Sequence, residues 1–123
     1  MKGLGIDLCE IARIEHAVQT SERFLLRYYT EAERCWIDRR GRAGMQSAAA
    51  MFAAKEAFLK AAGIGIGRGV ELCDIEILHD AAGAPRYALH GGAQRKLEEM
   101  GACAAILSLS HEAGMAAAVC VLE

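Results

Sequence analysis

The sequence lacks several features that would each mark a chain as belonging to a familiar class. No two cysteines are spaced as CxxC; the five, Cys9, Cys35, Cys73, Cys103 and Cys120, are odd in number and scattered. That argues against a zinc or disulfide framework and fits reduced thiols filling apolar sites. There is no long apolar run: the longest uncharged stretch, Ala113 to Leu122, is too short to span a bilayer as a helix. No charge sign dominates either. A net charge of −2 argues against non-specific nucleic-acid binding as the main task. Repeats, low-complexity tracts and linkers are absent, and MKGLGIDLCE meets Asp7 before an apolar signal region can form. The expectation is a soluble, cytoplasmic chain whose residues 1–123 form a single domain. Its 54% apolar residues are enough for one compact core.

Charge is nevertheless uneven along the chain. Residues 23–42 hold Arg23, Arg27, Arg34, Arg39, Arg40 and Arg42 against Glu31, Glu33 and Asp38. Residues 71–80 hold Glu71, Asp74, Glu76 and Asp80 with no Lys or Arg. An arginine-rich patch on a mildly acidic chain suits a discrete anionic partner, and it equally suits an ordinary solvated helix face.

Residues 2–8 are short and apolar and read as a buried first strand ending at Asp7. Ile11, Ile14 and Val18 then recur at helical spacing, with Thr20 or Ser21 placed to interrupt and recap the helix. Thr30 followed by Glu33 fits a capping box for a helix to about Arg40. Residues 46–62 form the strongest helix signal, alanine-rich and closed by Gly63; only Lys55, Glu56 and Lys60 carry charge, so most of it should be buried. Residues 73–79 and 86–90 read as a hairpin, 92–100 as a short helix stopped by Gly101, and 103–110 and 115–122 as final strands joined near His111 to Gly114. The fold class expected is α+β, an antiparallel sheet packed on a long central apolar helix with shorter helices.

Glu56 and Lys60, four residues apart, share a helix face with the acid on the N-terminal side. On most helices such a pair is a weak surface contact. On this apolar helix the charges are costly to hold unless they have a use. A partly buried carboxylate can bind Mg²⁺ or act as a base, and a nearby ammonium can neutralise phosphate charge. Asp7 offers a second carboxylate for a divalent cation, or a cap for the following helix. The glycines at 63, 65, 67 and 69, with Arg68, could admit an anion to the backbone or form a plain turn; the GxGxxG spacing is absent. His111 is a phosphate contact or an exposed turn residue. His16, His79 and His90 show no metal-ligand spacing.

GIDLCEIARI (5–14), FAAKEAFLKAAGIGIGRG (52–69) and SLSHE (108–112) resemble, in the same order and over essentially the whole chain, the holo-acyl-carrier-protein synthases. These are small 4′-phosphopantetheinyl transferases. The resemblance implies transfer of 4′-phosphopantetheine from coenzyme A to a serine of an acidic apo acyl-carrier protein, releasing adenosine 3′,5′-bisphosphate, in fatty acid or polyketide biosynthesis. By the same resemblance Asp7 and Glu56 bind Mg²⁺, Glu56 accepts the serine proton directly or through water, and Lys60 stabilises charge on the phosphates. Gly63 and Gly65 lie against the cofactor, Pro85 and His111 line the adenine nucleotide's site, and Arg13, Arg23 and Arg27 face the carrier protein. Small bacterial members of the family are homotrimers with sites between subunits; neither nucleic acid nor membrane is implied.

Three positions depart from the family pattern. Many relatives carry an arginine at Met51 that helps hold a cofactor phosphate, a threonine at Ile64 and a lysine at Ala84. The lost arginine contact would have to come from elsewhere, Arg68 or Arg42 being the sequence's nominees. A non-catalytic coenzyme A or carrier-protein binding homologue is therefore the alternative reading. A purely structural oligomerisation module leaves the charges on the apolar helix without a use.

Overall fold

The computed structural model describes residues 1–65 and 67–123; Ile66, inside the glycine segment, lies outside the described residues. Strand β1 (Gly3–Glu10) leads into helices α1 (Ile11–Thr20), α2 (Arg23–Tyr28) and α3 (Glu31–Arg39). After a 3₁₀ turn at Gly41–Ala43 comes α4 (Gly44–Ala62), then β2 (Ile75–His79), β3 (Pro85–Leu89), α5 (Gly91–Glu99), β4 (Ala105–Glu112) and β5 (Met115–Leu122).

Helix α4 lies along the inner face of a three-stranded antiparallel sheet of order β1-β5-β4. Small residues make the close approach possible. Ala53, Ala54, Ala57 and Ala61 of α4 are buried, as are Ala116, Ala118 and Cys120 on β5. On β1 even alanine is too large: a Cβ on Gly5 would overlap the Ala57 carbonyl oxygen, and one on Gly3 that of Ala61. Gly63, at φ 69°, ends α4 in the left-handed conformation that glycine adopts without penalty. Thr30 and Glu33 form both halves of the expected capping box on α3.

The α+β architecture on a long apolar helix is as expected, with three differences of detail. The strands form two sheets, because β2 and β3 pair only with each other, as a separate antiparallel hairpin. The hairpin is gripped from the helical side instead: the Lys55 ammonium donates to the Leu72 and Ile75 carbonyls, and Glu33 accepts from the Ile77 N–H. Strand β1 runs on to Glu10 and is not buried on both faces, since Leu4, Ile6 and Leu8 are 59%, 63% and 62% exposed. His111 belongs to β4 and not to a turn. Only Ala113 and Gly114, both at positive φ, make the connection, so pairing continues to Glu112 opposite Met115.

Candidate active site

Alternation along β1 turns Gly5, Asp7 and Cys9 toward α4. Because the glycines admit the helix so closely, Asp7 arrives beside the helix face that carries Glu56 and Lys60. The Lys60 ammonium donates to Asp7 Oδ1 at 2.8 Å and to the Ile6 carbonyl at 3.1 Å, and the lysine side chain stays 55% exposed. Glu56 is half-buried within reach of both charges. Its carboxyl titrates above the ordinary carboxylate value, chiefly through burial and next through the Asp7 charge, while Lys60 and Arg13 pull it back. Lys60 is held above the ordinary lysine value by its bond to Asp7. Two carboxylates that repel one another, one of them raised by burial, form an oxygen-only donor pair that a hard divalent cation would relieve. Among the described residues no group of three or more His, Cys, Asp or Glu side chains forms a fuller cage.

Arg13, on α1, places its guanidinium 6.0 Å from the Phe52 ring, one helical turn before Glu56 on α4. Arg23 and Arg27 are exposed on α2, with Arg27 over the Tyr28 ring. The three arginines thus lie on the consecutive helices that follow β1.

Pro85 and His111 are elsewhere. They line a cavity of about 550 Å³ with Trp36, Arg40, Ser47 and His79, at the β4 edge of the sheet. Asp7 stands on β1, the opposite edge strand, and neither Asp7, Glu56 nor Lys60 reaches this cavity. Within one chain, therefore, the residues nominated from the sequence fall into two half-sites. Gly63 and Gly65 are exposed beyond the end of α4.

Several participants escaped the sequence reading. His79, which has no telling spacing, stacks on Trp36 with ring centroids 4.1 Å apart and an interplanar angle of 7°. Arg40 lines the same cavity. Met51, fully buried, presents nothing to it, Arg42 is not among its lining residues, and Arg68 lines a separate recess with Arg95 and Lys96. The Trp in an arginine-rich helix was the one available hint.

Comparison with known proteins bears on the family of the chain. Residues 3–120 match the family model described as the 4′-phosphopantetheinyl transferase superfamily. A holo-[acyl-carrier-protein] synthase of Solidesulfovibrio magneticus is 45% identical over 124 residues, covering 100% of this chain and 98% of the relative. Among solved structures, the holo-[acyl-carrier-protein] synthase of Neisseria meningitidis superposes with a TM-score of 0.89 at 34% identity, covering 100% of this chain and 98% of the other. That of Helicobacter pylori, solved in complex with coenzyme A, does so with a TM-score of 0.80 at 32% identity, covering 98% and 99%. No helix among the described residues is long and apolar enough to cross a membrane. From its matched residues and these full-length likenesses, this chain belongs to the 4′-phosphopantetheinyl transferase superfamily.

Proposed function

We propose that residues 1–123 act as one holo-acyl-carrier-protein synthase domain. It moves 4′-phosphopantetheine from coenzyme A to a serine of an apo acyl-carrier protein and releases adenosine 3′,5′-bisphosphate. The observation that carries the assignment is the convergence of Asp7, Glu56 and Lys60 where β1 meets α4. In the step itself the serine Oγ forms a bond to the phosphorus bearing the pantetheine arm. The bond from that phosphorus to the oxygen of the adenosine 5′-phosphate breaks, and the serine proton passes to Glu56, directly or through water. A hydroxyl is a poor nucleophile, so a positioned base matters; the rest is alignment and neutralisation of phosphate charge. Half-burial and the neighbouring Asp7 hold the Glu56 carboxyl of the metal-free chain above the ordinary carboxylate value. Lys60, tethered at the surface, faces the phosphate oxygens.

Asp7 and Glu56 would hold Mg²⁺, with phosphate oxygens and water completing its shell. That ion would supply positive charge to the diphosphate and fix its orientation. Arg13, Arg23 and Arg27 suit an acidic carrier protein, and Arg13 next to Phe52 brings that face up to Glu56. The work would lie in fatty acid or polyketide biosynthesis in the cytoplasm.

The two half-sites on opposite edges of the sheet support a homotrimer in which one copy's Asp7–Glu56–Lys60 edge faces the next copy's Pro85–His111 cavity. The outer face of the sheet supports it too. Leu4, Ile6 and Leu8 lie beside Val121, Val119 and Ala117 in register, with Ile106 beyond, an apolar surface that a second copy would cover. Ile6→Glu should leave the chain folded but monomeric by sedimentation, and inactive.

The deciding experiment is to incubate the protein with coenzyme A, Mg²⁺ and apo carrier protein and weigh the carrier. A phosphopantetheine mass gain that Glu56→Gln nearly abolishes, with the fold intact, is the expected result. Cofactor binding without a mass gain on any of several acidic carriers would favour the non-catalytic homologue, the reading that buried Met51 keeps in view.

A further inference from the structure

Away from both half-sites, the chain gathers three cations around one recess. Arg68, Arg95 and Lys96 line a cavity of about 220 Å³, together with Glu99 and the buried Val70 and Gly92. It shares no lining residue with the cavity at the β4 edge, and Asp7, Glu56 and Lys60 do not reach it. A backbone crossing creates the recess. Gly69 passes the first turn of α5 so closely that a Cβ on Gly92 would overlap the Gly69 carbonyl oxygen. The neighbours in sequence follow from that contact. Arg68 precedes Gly69, while Arg95 and Lys96 come three and four residues after Gly92, on the same face of the helix. Cations far apart in the chain thus share one wall.

Like charges brought together repel, and little in the structure relieves them. Among the described residues none of the three cations makes a side-chain hydrogen bond or an ion pair. Glu99 is the single acid of the lining, and it too is unpaired. Solubility alone would be served by spreading the charges out. Concentrating them around a concavity is unfavourable until an anion enters it. The recess is smaller than the clefts that enclose organic ligands of ordinary size, which points to a compact guest. We propose that this recess is a binding site for a small oxyanion of the phosphate class, held by the Arg68 and Arg95 guanidinium groups and the Lys96 ammonium. Arginine forks take phosphate oxygens in pairs, and a lysine adds a point charge. An anion held there pins Arg68, beyond the end of the helix that carries Glu56 and Lys60, to α5. The site goes beyond the transferase reading, and its test uses neither coenzyme A nor carrier protein.

Inorganic phosphate and inorganic diphosphate are titrated into isotope-labelled protein at constant ionic strength, without divalent metal. Heteronuclear NMR follows the amide signals of Gly69, Gly92 and Arg95, which report on the recess itself. Saturable shifts are expected, and the anion that binds more tightly tells whether a single or a double phosphate fits. Arg95→Gln should weaken that anion by about tenfold, the size of one lost charge-assisted contact. Arg68→Gln, on the opposite side of the crossing, should do the same, and Arg95→Lys should recover part of the loss. Glu99→Gln removes the one acid of the lining and should tighten binding about twofold. Arg86→Gln, exposed on β3 and outside the recess, should leave the affinity unchanged. Shifts that never saturate, that chloride reproduces, or that survive both Arg95→Gln and Arg68→Gln undiminished would each overturn the inference. So would a short glutamate peptide that saturates the same signals where both phosphates fail, because the recess would then belong to an acidic chain.

Discussion

Helix α4 carries two lysines five residues apart, each 2.8 Å from a carboxylate, and the two pairs have almost nothing else in common. Lys55 and Glu33 are both fully buried. The Lys55 ammonium spends its three protons on Glu33 Oε1 and on the Leu72 and Ile75 carbonyls. Glu33 is bonded at both oxygens, accepting from Lys55, the Thr30 N–H and the Ile77 N–H. Burial holds the Lys55 ammonium below the ordinary lysine value, and the Glu33 carboxylate pulls it back up. This pair locks α3, α4 and the β2 hairpin together. Lys60 stands at the surface and Asp7 is half-buried beside it, with donors and acceptor capacity left over. A phosphate can take Lys60 and a cation can take Asp7, without unfolding anything. Distance alone does not separate a strut from a reactive group; burial and unspent bonding capacity do.

The sharpest way to break the contrast is to remove one partner from each pair and read stability and turnover together. Lys55→Met strands the Glu33 carboxylate in the core and should cost about 3–5 kcal/mol in chemical denaturation, enough to endanger the fold. Changing Glu33 to Leu in the same chain should return part of that, since no uncompensated charge remains. Lys60→Ala should do the reverse. Its denaturation midpoint should stay near that of wild type, because an exposed pair contributes little. Its turnover should fall by about 100-fold or more through loss of charge neutralisation on the phosphates. A Lys60→Ala protein that is unstable but fully active would make that pair a second strut.

The contrast also explains what the sequence could disclose. Helix α4 and its stop were legible because alanine content and Gly63 are local signals. So was the Thr30–Glu33 capping box, whose partners are three residues apart. The capping role, however, hid the other task of Glu33, since its further partners Lys55 and Ile77 are 22 and 44 residues away and no spacing rule reaches that far. Asp7 and Lys60 are 53 residues apart. The family resemblance joined Asp7 to Glu56, and only the structure adds the contact with Lys60, made where two glycines let strand and helix nearly touch. The Trp36–His79 stack joins α3 to β2, and a tryptophan in an arginine-rich helix was its one local hint. His111 was displaced from turn to strand because a two-residue turn needs less chain than its neighbourhood of polar residues suggested.

The smallest effect expected concerns the reactive pair's neighbour. Arg13 lowers the Glu56 carboxyl against the combined upward push of burial and Asp7. Arg13→Gln removes that restraint, so Glu56 should take up its proton at higher pH than in wild type. Followed by NMR titration of the metal-free protein, the Glu56 midpoint should therefore move upward in pH. The stability consequence has a definite sign. A carboxyl raised on folding binds its proton more tightly in the native state, so stability falls as pH rises from the ordinary carboxylate range through the raised native value. The variant should match wild type below that window, apart from any pH-independent offset, and fall slightly further behind above it. Arg13 is also assigned to the carrier face, and its loss there should raise KM for the carrier at every pH. The two roles are separable on that basis: a uniform KM penalty with an unmoved Glu56 titration would leave Arg13 as a docking residue and remove it from the setting of Glu56.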